Sequence, residues 1–221
     1  TYRQGLDFIT VGNTGSITFE NALSGENSVN IYWETSNKTH KLIGSENVSS
    51  SSLYDGNITI VGGDGGETIS LNDNQNFVSE VYAGNGNDTI SADQGVNWIY
   101  GYGGDDNIDV GDGNDAVDGG EGNDTLKGGG GSDTLAGGTG SDTFVFLKSD
   151  GTSGADTITD FTAQAGDKLD LSSFGISTKS KALDTMADDG SGNTQVTIDG
   201  DLIVTLNGIS KSDLSGYDFI A

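Results

Sequence analysis

The stretch Gly101–Val145 reads GYGGDDNID, VGDGNDAVD, GGEGNDTLK, GGGGSDTLA and GGTGSDTFV, five consecutive nine-residue units. Aligned, they share glycine at the fourth position and aspartate at the sixth. The eighth is always large and apolar: Ile108, Val117, Leu126, Leu135 and Phe144. The first six residues of each unit read as a glycine turn and the last three as a short strand. Glycine takes positive φ freely and lets the backbone curl tightly, so several carbonyls can point at one spot. Side chains alternate faces along a strand, so an inward eighth residue puts the seventh and ninth outward. Thr125, Thr134 and Thr143 at position seven suit an exposed β-position. A disordered linker could share this glycine and acid content. It would have no reason to hold an apolar residue in phase every ninth position.

The consensus G-G-x-G-x-D-x-U-x, with U apolar, resembles the nonapeptide of the RTX calcium-binding β-roll. The residue chemistry agrees, because carbonyls and carboxylates are the hard oxygen ligands that Ca²⁺ prefers. The resemblance implies an all-β fold, a right-handed parallel β-roll with β-rich caps at both ends. Two units would make one coil, so unit n stacks on n+2 with calcium between their turns. Asp106, Asp124 and Asp142 would then share one edge, and Asp115 and Asp133 the other. The unit Ala83–Ser91 (AGNGNDTIS) adds Asp88 and Ile90. The implied metal-site residues are Asp88, Asp106, Asp115, Asp124, Asp133 and Asp142. Their turn glycines are Gly84, Gly86, Gly101, Gly104, Gly111, Gly113, Gly120, Gly122, Gly129, Gly131, Gly138 and Gly140. Stacked turns from Ala83 onward would hold about four ions, or about six with the degraded rungs.

The 221 residues carry a formal net charge of −25, 37 Gly, no Pro and no Cys. Such acidity argues against nucleic acid, whose binding runs on Lys and Arg, and against anionic membranes. Without cysteine no disulfide is available, which leaves metal ions as the staples. A hydrophobic content of 32% is low for a globular core, but a solenoid needs only a buried seam. No apolar run approaches the ~18 residues of a membrane helix. The absence of an initiator Met suggests that Thr1 is a cut inside a longer protein.

Three segments are expected: a β segment or solenoid cap at 1–52, the roll at 53–145 and a cap at 146–221. In the first, Ser16–Glu20 and Ser28–Trp33 read as strands and Ser49–Ser52 as a soft linker. It is either a run of degenerate rungs or the tail of an upstream domain. His40, the sole histidine, is assigned no role. Leu53–Val61 keeps Gly56 and Ile60, and Gly62–Ser70 puts Glu67 in the aspartate slot. Leu71–Ser79 keeps only Val78, and Glu80–Tyr82 reads as a three-residue insertion. Ala92–Tyr100 replaces the aspartate with Asn97 and turns Trp98 and Tyr100 outward, with Tyr102 following. These aromatics are either a platform for a sugar ring or are covered by other parts of the chain.

Past Val145 the segments DTFVF, ADTITDF (Ala155–Phe161) and GDKLDLSSF (Gly166–Phe174) resemble the segment that closes the roll in RTX proteases, lipases and alginate epimerases. Ile158, Phe161, Leu169, Leu171 and Phe174 would cover the last rung. Ser180–Ala187 is expected to be a short helix. Asp199-Gly200 between Thr194–Ile198 and Asp201–Leu206 predicts a hairpin, with Val196 and Ile198 on one side and Leu202, Val204 and Leu206 likewise. The end, Asp218-Phe219-Ile220-Ala221, is similar to the uncleaved signal of type I (ABC-transporter) secretion, and suggests the parent's true C-terminus. An ordinary last strand would look the same.

No catalytic constellation is legible. One histidine rules out HExxH, and GxSxG and GxxxxGK[ST] are absent. The carboxylates fall on the metal period, not in a glycosidase pair. The expectation is a non-enzymatic, monomeric calcium module, folding outside the cell and exported by a type I ABC exporter to the bacterial surface or medium. Its parent would be a large adhesin, or alternatively a secreted epimerase, protease or lipase.

Overall fold

The computed structural model describes residues 7–11, 28–33, 40–43, 47–50, 58–71, 78–92, 94–150, 154–162, 165–176, 178–199, 201–214 and 219–220. Within the roll two sheets of parallel strands alternate along the chain. One sheet stacks Thr68–Leu71, Thr89–Ser91, Asn107–Asp109, Thr125–Lys127, Thr143–Val145 and Lys168–Asp170. The other stacks Ile58–Val61, Val78–Asn85, Gln94–Gly103, Ala116–Glu121, Thr134–Thr139, Asp156–Ile158 and Asp201–Leu206. Asn107 pairs with Thr125 and Trp98 with Ala116, so one coil is two nonapeptides. This is the parallel β-solenoid that the resemblance to the RTX nonapeptide implies.

Alternation within each three-residue strand builds the core. Ile69, Ile90, Ile108, Leu126, Phe144 and Leu169 form one inward column. Ile60, Val81, Ile99, Val117, Leu135, Ile158 and Leu206 form the other. All are essentially inaccessible and merge into one hydrophobic cluster. Each rung therefore contributes one apolar residue per sheet, which is why a modest apolar content suffices.

The strands Asp7–Val11, Ser28–Trp33 and Asn47–Ser50 extend the first sheet, and His40–Ile43 the second, all in parallel. Ser16–Glu20, Ser51 and Ser52, and the turn of Leu53–Val61 with Gly56, lie outside the described residues.

Three local expectations change. Val78 is only half-buried, whereas Ser79, Val81 and Ala83 are buried. Ser79 pairs with Asn97 and Val81 with Ile99, so the extra residues come before Val78, not at Glu80–Tyr82. Serine in the aspartate slot hides this register, and a valine three residues early imitates it. The helix is Lys179–Asp184; Met186–Asp188 is a strand, antiparallel to Thr194–Ile198. The hairpin forms, but a register shift follows Val196 and Ile203 is buried beside Val204. Gly200, and the side chain of Leu202, lie outside the description.

The cap seals the last rung. Phe161 packs on Phe144 with ring centroids 6.1 Å apart, and Leu169 and Leu171 are fully buried while Phe174 is partly so. The edge of Met186–Asp188 is occupied by Lys211, whose Nζ donates to the Met186 carbonyl (2.7 Å) and whose amide donates to Asp188 Oδ1 (2.7 Å). An edge closed this way cannot template another strand. Phe219–Ile220 is the final parallel strand, beside Lys168–Asp170; Asp218 and Ala221 lie outside the description.

Gly122 shows why the turns demand glycine. Its φ is 136°, and a Cβ there would run into the Gly104 carbonyl of the preceding coil. Gly175 also has positive φ (71°), but nothing lies near its missing Cβ. Gly122→Ala is expected to cost about 1–3 kcal/mol of stability. It should exceed Gly175→Ala, where only backbone strain acts, at about 1–2 kcal/mol. Urea midpoints of the calcium-saturated variants compare the two.

Candidate metal centre

Each nonapeptide turn delivers its aspartate into the wall of the coil, just before the strand. The repeat aspartates are 0–3% exposed. One oxygen of each has a structural task. The amide of Asp88 donates to Asp106 Oδ1 (2.8 Å), that of Asp106 to Asp124 (2.8 Å) and that of Asp124 to Asp142 (2.9 Å). On the other edge the Asn97 amide donates to Asp115 Oδ1 (2.7 Å) and the Asp115 amide to Asp133 Oδ1 (2.8 Å). The following residue closes a second link: the amides of Thr125 and Thr143 donate to the Asp106 and Asp124 carbonyls. Every aspartate is thus held at two points by the next coil.

The second oxygen has no such task. Oδ2 of Asp88, Asp106, Asp124, Asp133 and Asp142 is buried without a hydrogen-bond donor. In four of the five it faces the first glycine of its own turn: a Cβ at Gly101, Gly119, Gly128 or Gly137 would strike the carboxylate of Asp106, Asp124, Asp133 or Asp142. A buried anionic oxygen without a partner is costly, and the cost is met by a proton or a cation. Burial, reinforced by neighbouring carboxylates, pushes the carboxyls up, to about 7 for Asp106, about 8 for Asp133 and about 6 for Asp124 and Asp142. Asp88 is also raised, by burial. Lys127, the one lysine in the five units, pairs instead with Asp109 (3.0 Å) and Asp150 (3.9 Å).

Among the described residues no three acidic, His or Cys side chains converge on one point. A cation here would meet carboxylates in stacked pairs and would complete its shell from backbone oxygens. That donor set is all oxygen, hard and anionic, which fits Ca²⁺ and not a thiolate- or imidazole-seeking metal. Most of the predicted turn glycines have positive φ. Gly101 and Gly113 do not, but a Cβ on either would collide with the carbonyl of the adjoining coil, Gly119 or Gly95.

The structure adds residues that the repeat reading left out. The Asp133 amide donates to Asp156 Oδ1 (2.9 Å) and the Asp142 amide to Asp167 Oδ1 (2.9 Å), so both columns run on into the cap. Asp156-Thr157-Ile158 and Asp167-Lys168-Leu169 repeat the Asp-x-apolar triplet, and that was the available signal. Glu67 keeps the slot at the other end: its amide donates to Asp88 Oδ1 (2.6 Å), and burial pushes its carboxyl to about 7. Asn97 is fully buried, its Oδ1 has no donor, and its Nδ2 reaches the Val110 carbonyl (3.3 Å). Asp160 grips the turn Gly137-Gly138 by both amides (3.0 and 2.8 Å). A second ladder lies at position five, where Asn87, Asp105 and Asn123 accept the amides of Asp105, Asn123 and Ser141.

These raised carboxyls give the metal-free chain an inverted pH response. Folded carboxyls titrate above unfolded ones, near 4, so the folded form holds more protons over the interval between. Their stabilising contribution is complete below about pH 4 and is lost as pH rises through 6–8. The chelator-treated chain, open at pH 8, should therefore gain β-structure as pH falls to 5. Calcium must displace those protons, so its apparent affinity should fall as pH drops over the same range. Circular dichroism in chelator and calcium titrations at the two pH values check both signs.

Residues 82–117 and 109–144 match the family description of the RTX calcium-binding nonapeptide repeat (4 copies). No curated protein matches the chain at a significant level. Period, two-unit coil and aspartate columns coincide with that match, and residues 82–144 carry RTX calcium-binding nonapeptide repeats folded as a parallel β-solenoid.

Proposed function

We propose that this chain is an export and folding module that stays open where calcium is scarce and closes into the roll outside the cell. One observation carries the reading: columns of buried carboxylates whose second oxygen has no donor. Asp88, Asp106, Asp124 and Asp142 would hold ions along one edge, and Asp115 and Asp133 along the other, with the glycine turns supplying carbonyls. Bound calcium supplies positive charge to the coil wall. The protein's part is to orient one Oδ2 per turn, keep donors away from it and stack the next coil within reach.

Ten acidic residues against one Lys in Gly101–Val145 repel one another without cations. Extracellular calcium modules bind with Kd on the order of 10⁻⁴–10⁻³ M. At ten times Kd each site adds about 1.4 kcal/mol, so about four to six sites match the stability of a whole domain. An open chain in the cytoplasm suits threading through a type I ABC exporter. The capping segment that follows the repeats, with its resemblance to that of secreted RTX proteins, supports that route. The parent would be a large surface adhesin of a bacterium; in a secreted enzyme the module would act alike.

Circular dichroism in EDTA and then in millimolar Ca²⁺ tests the reading: β-signal should appear on calcium addition, and an unchanged spectrum would refute it. Asp124→Asn, which keeps shape and removes charge, should shift the folding midpoint to several-fold higher calcium. Asn97→Asp, which restores the repeat residue, should move it lower.

A further inference from the structure

One coil departs from the repeat in a way that calcium binding does not explain. Along Gln94–Gly103 the aspartate slot holds Asn97, and the outward positions hold Trp98, Tyr100 and Tyr102. Trp98 is 45% and Tyr102 53% exposed. Tyr102 pairs with Gly84 on one side and Gly120 on the other, a column where the repeat places glycine. Its φ is 74°, in the left-handed region that a bulky side chain avoids. Strain of this kind, kept at an exposed aromatic, points to a use for the side chain.

The register gives the surroundings. On the preceding strand Tyr82 stacks on Tyr100, with centroids 5.1 Å apart and planes 6° from parallel, and Tyr102 leans toward Tyr82 at 6.4 Å. On the following strand the partners of Trp98, Tyr100 and Tyr102 are Ala116, Asp118 and Gly120. Beyond them come Thr134, Ala136 and Gly138. The aromatics therefore form a wall above a floor of small residues, with exposed Asp118 where the next ring of the stack would lie.

The geometry points to a glycan-binding shelf that takes a neutral pyranose. The sugar's C–H face would lie on the open face of Tyr100, and its hydroxyls would reach Asp118 and the Trp98 and Tyr102 edges. Indole N–H and phenol O–H donate while the carboxylate accepts, the mixture that a polyol needs. A cation would use only the acceptor. Anionic sugars would meet Glu80, the register partner of Trp98, together with Asp118 and Glu121, and the three strands Val78–Asn85, Gln94–Gly103 and Ala116–Glu121 carry no lysine or arginine. The inference rests on the calcium-folded roll presenting the wall.

The test is binding of the full chain in millimolar calcium to immobilised glucose, mannose and galactose oligomers, with a uronate oligomer and polylysine alongside. Folding is checked by circular dichroism on the same samples, so a failure of calcium-induced folding is read separately from a failure of the shelf. At least one neutral oligomer should bind and shift tryptophan emission, the uronate should not bind, and Trp98→Ala should weaken binding tenfold or more. Tyr102→Gly restores the repeat's glycine, so it should raise the melting temperature while also weakening binding tenfold or more. The inference is overturned if folded protein binds no neutral oligomer, if the two variants bind as the parent does, or if polylysine or self-association alone occupies the face.

Discussion

Each repeat aspartate divides its two oxygens between two tasks. Oδ1 takes an amide from the coil before it, and in Asp106, Asp124, Asp133 and Asp142 Oδ2 is buried facing the first glycine of its own turn. A carboxylate in that position is anchored by its backbone links and penalised by its burial, so the fold carries within its walls a standing demand for positive charge. The rest of the architecture follows. The turns must be glycine because stacked carbonyls and the carboxylate leave no room for a side chain. The apolar core can be one residue wide per rung because it does not have to hold the coils together alone.

Much of this was legible in one dimension. The resemblance to the RTX nonapeptide implied the two-unit coil, and Leu126 and Leu135 went inward where the eighth position required. Asp106, Asp124 and Asp142 fell on one edge because eighteen residues return the chain to the same side. The places that resisted reading are those where a slot is filled by a residue with other common uses. Ser79 in an aspartate position does not announce a turn, and the valines at 78 and 81 offer two phases between which only pairing decides. Asp156 and Asp167 were hidden by longer loops that break the spacing while keeping the Asp-x-apolar triplet. The bulge beside Ile203 depends on packing in the cap, which local alternation cannot express.

The coil at Gln94–Gly103 illustrates how a solenoid can be modified one rung at a time. Each rung touches mainly its neighbours, so a unit can lose its acidic ligand to Asn97 and gain aromatics without disturbing the register on either side. The neighbouring strands supply Tyr82 behind and Asp118 ahead, and the altered rung inherits a shaped surface from unaltered ones.

The amide links between aspartates all run one way. In each column the donor belongs to the earlier coil and the acceptor to the later, until Asp156 and Asp167 end the series inside the cap. Within these columns, trimming coils from the front would leave every remaining aspartate amide with its Oδ1, whereas trimming from the back would strand one in each. The position-five ladder and the links to the aspartate carbonyls run the other way. The aspartate columns therefore have a built-in polarity. A chain entering a compartment tail first would present its acceptors before the amides that need them, and each arriving rung would settle on a finished template.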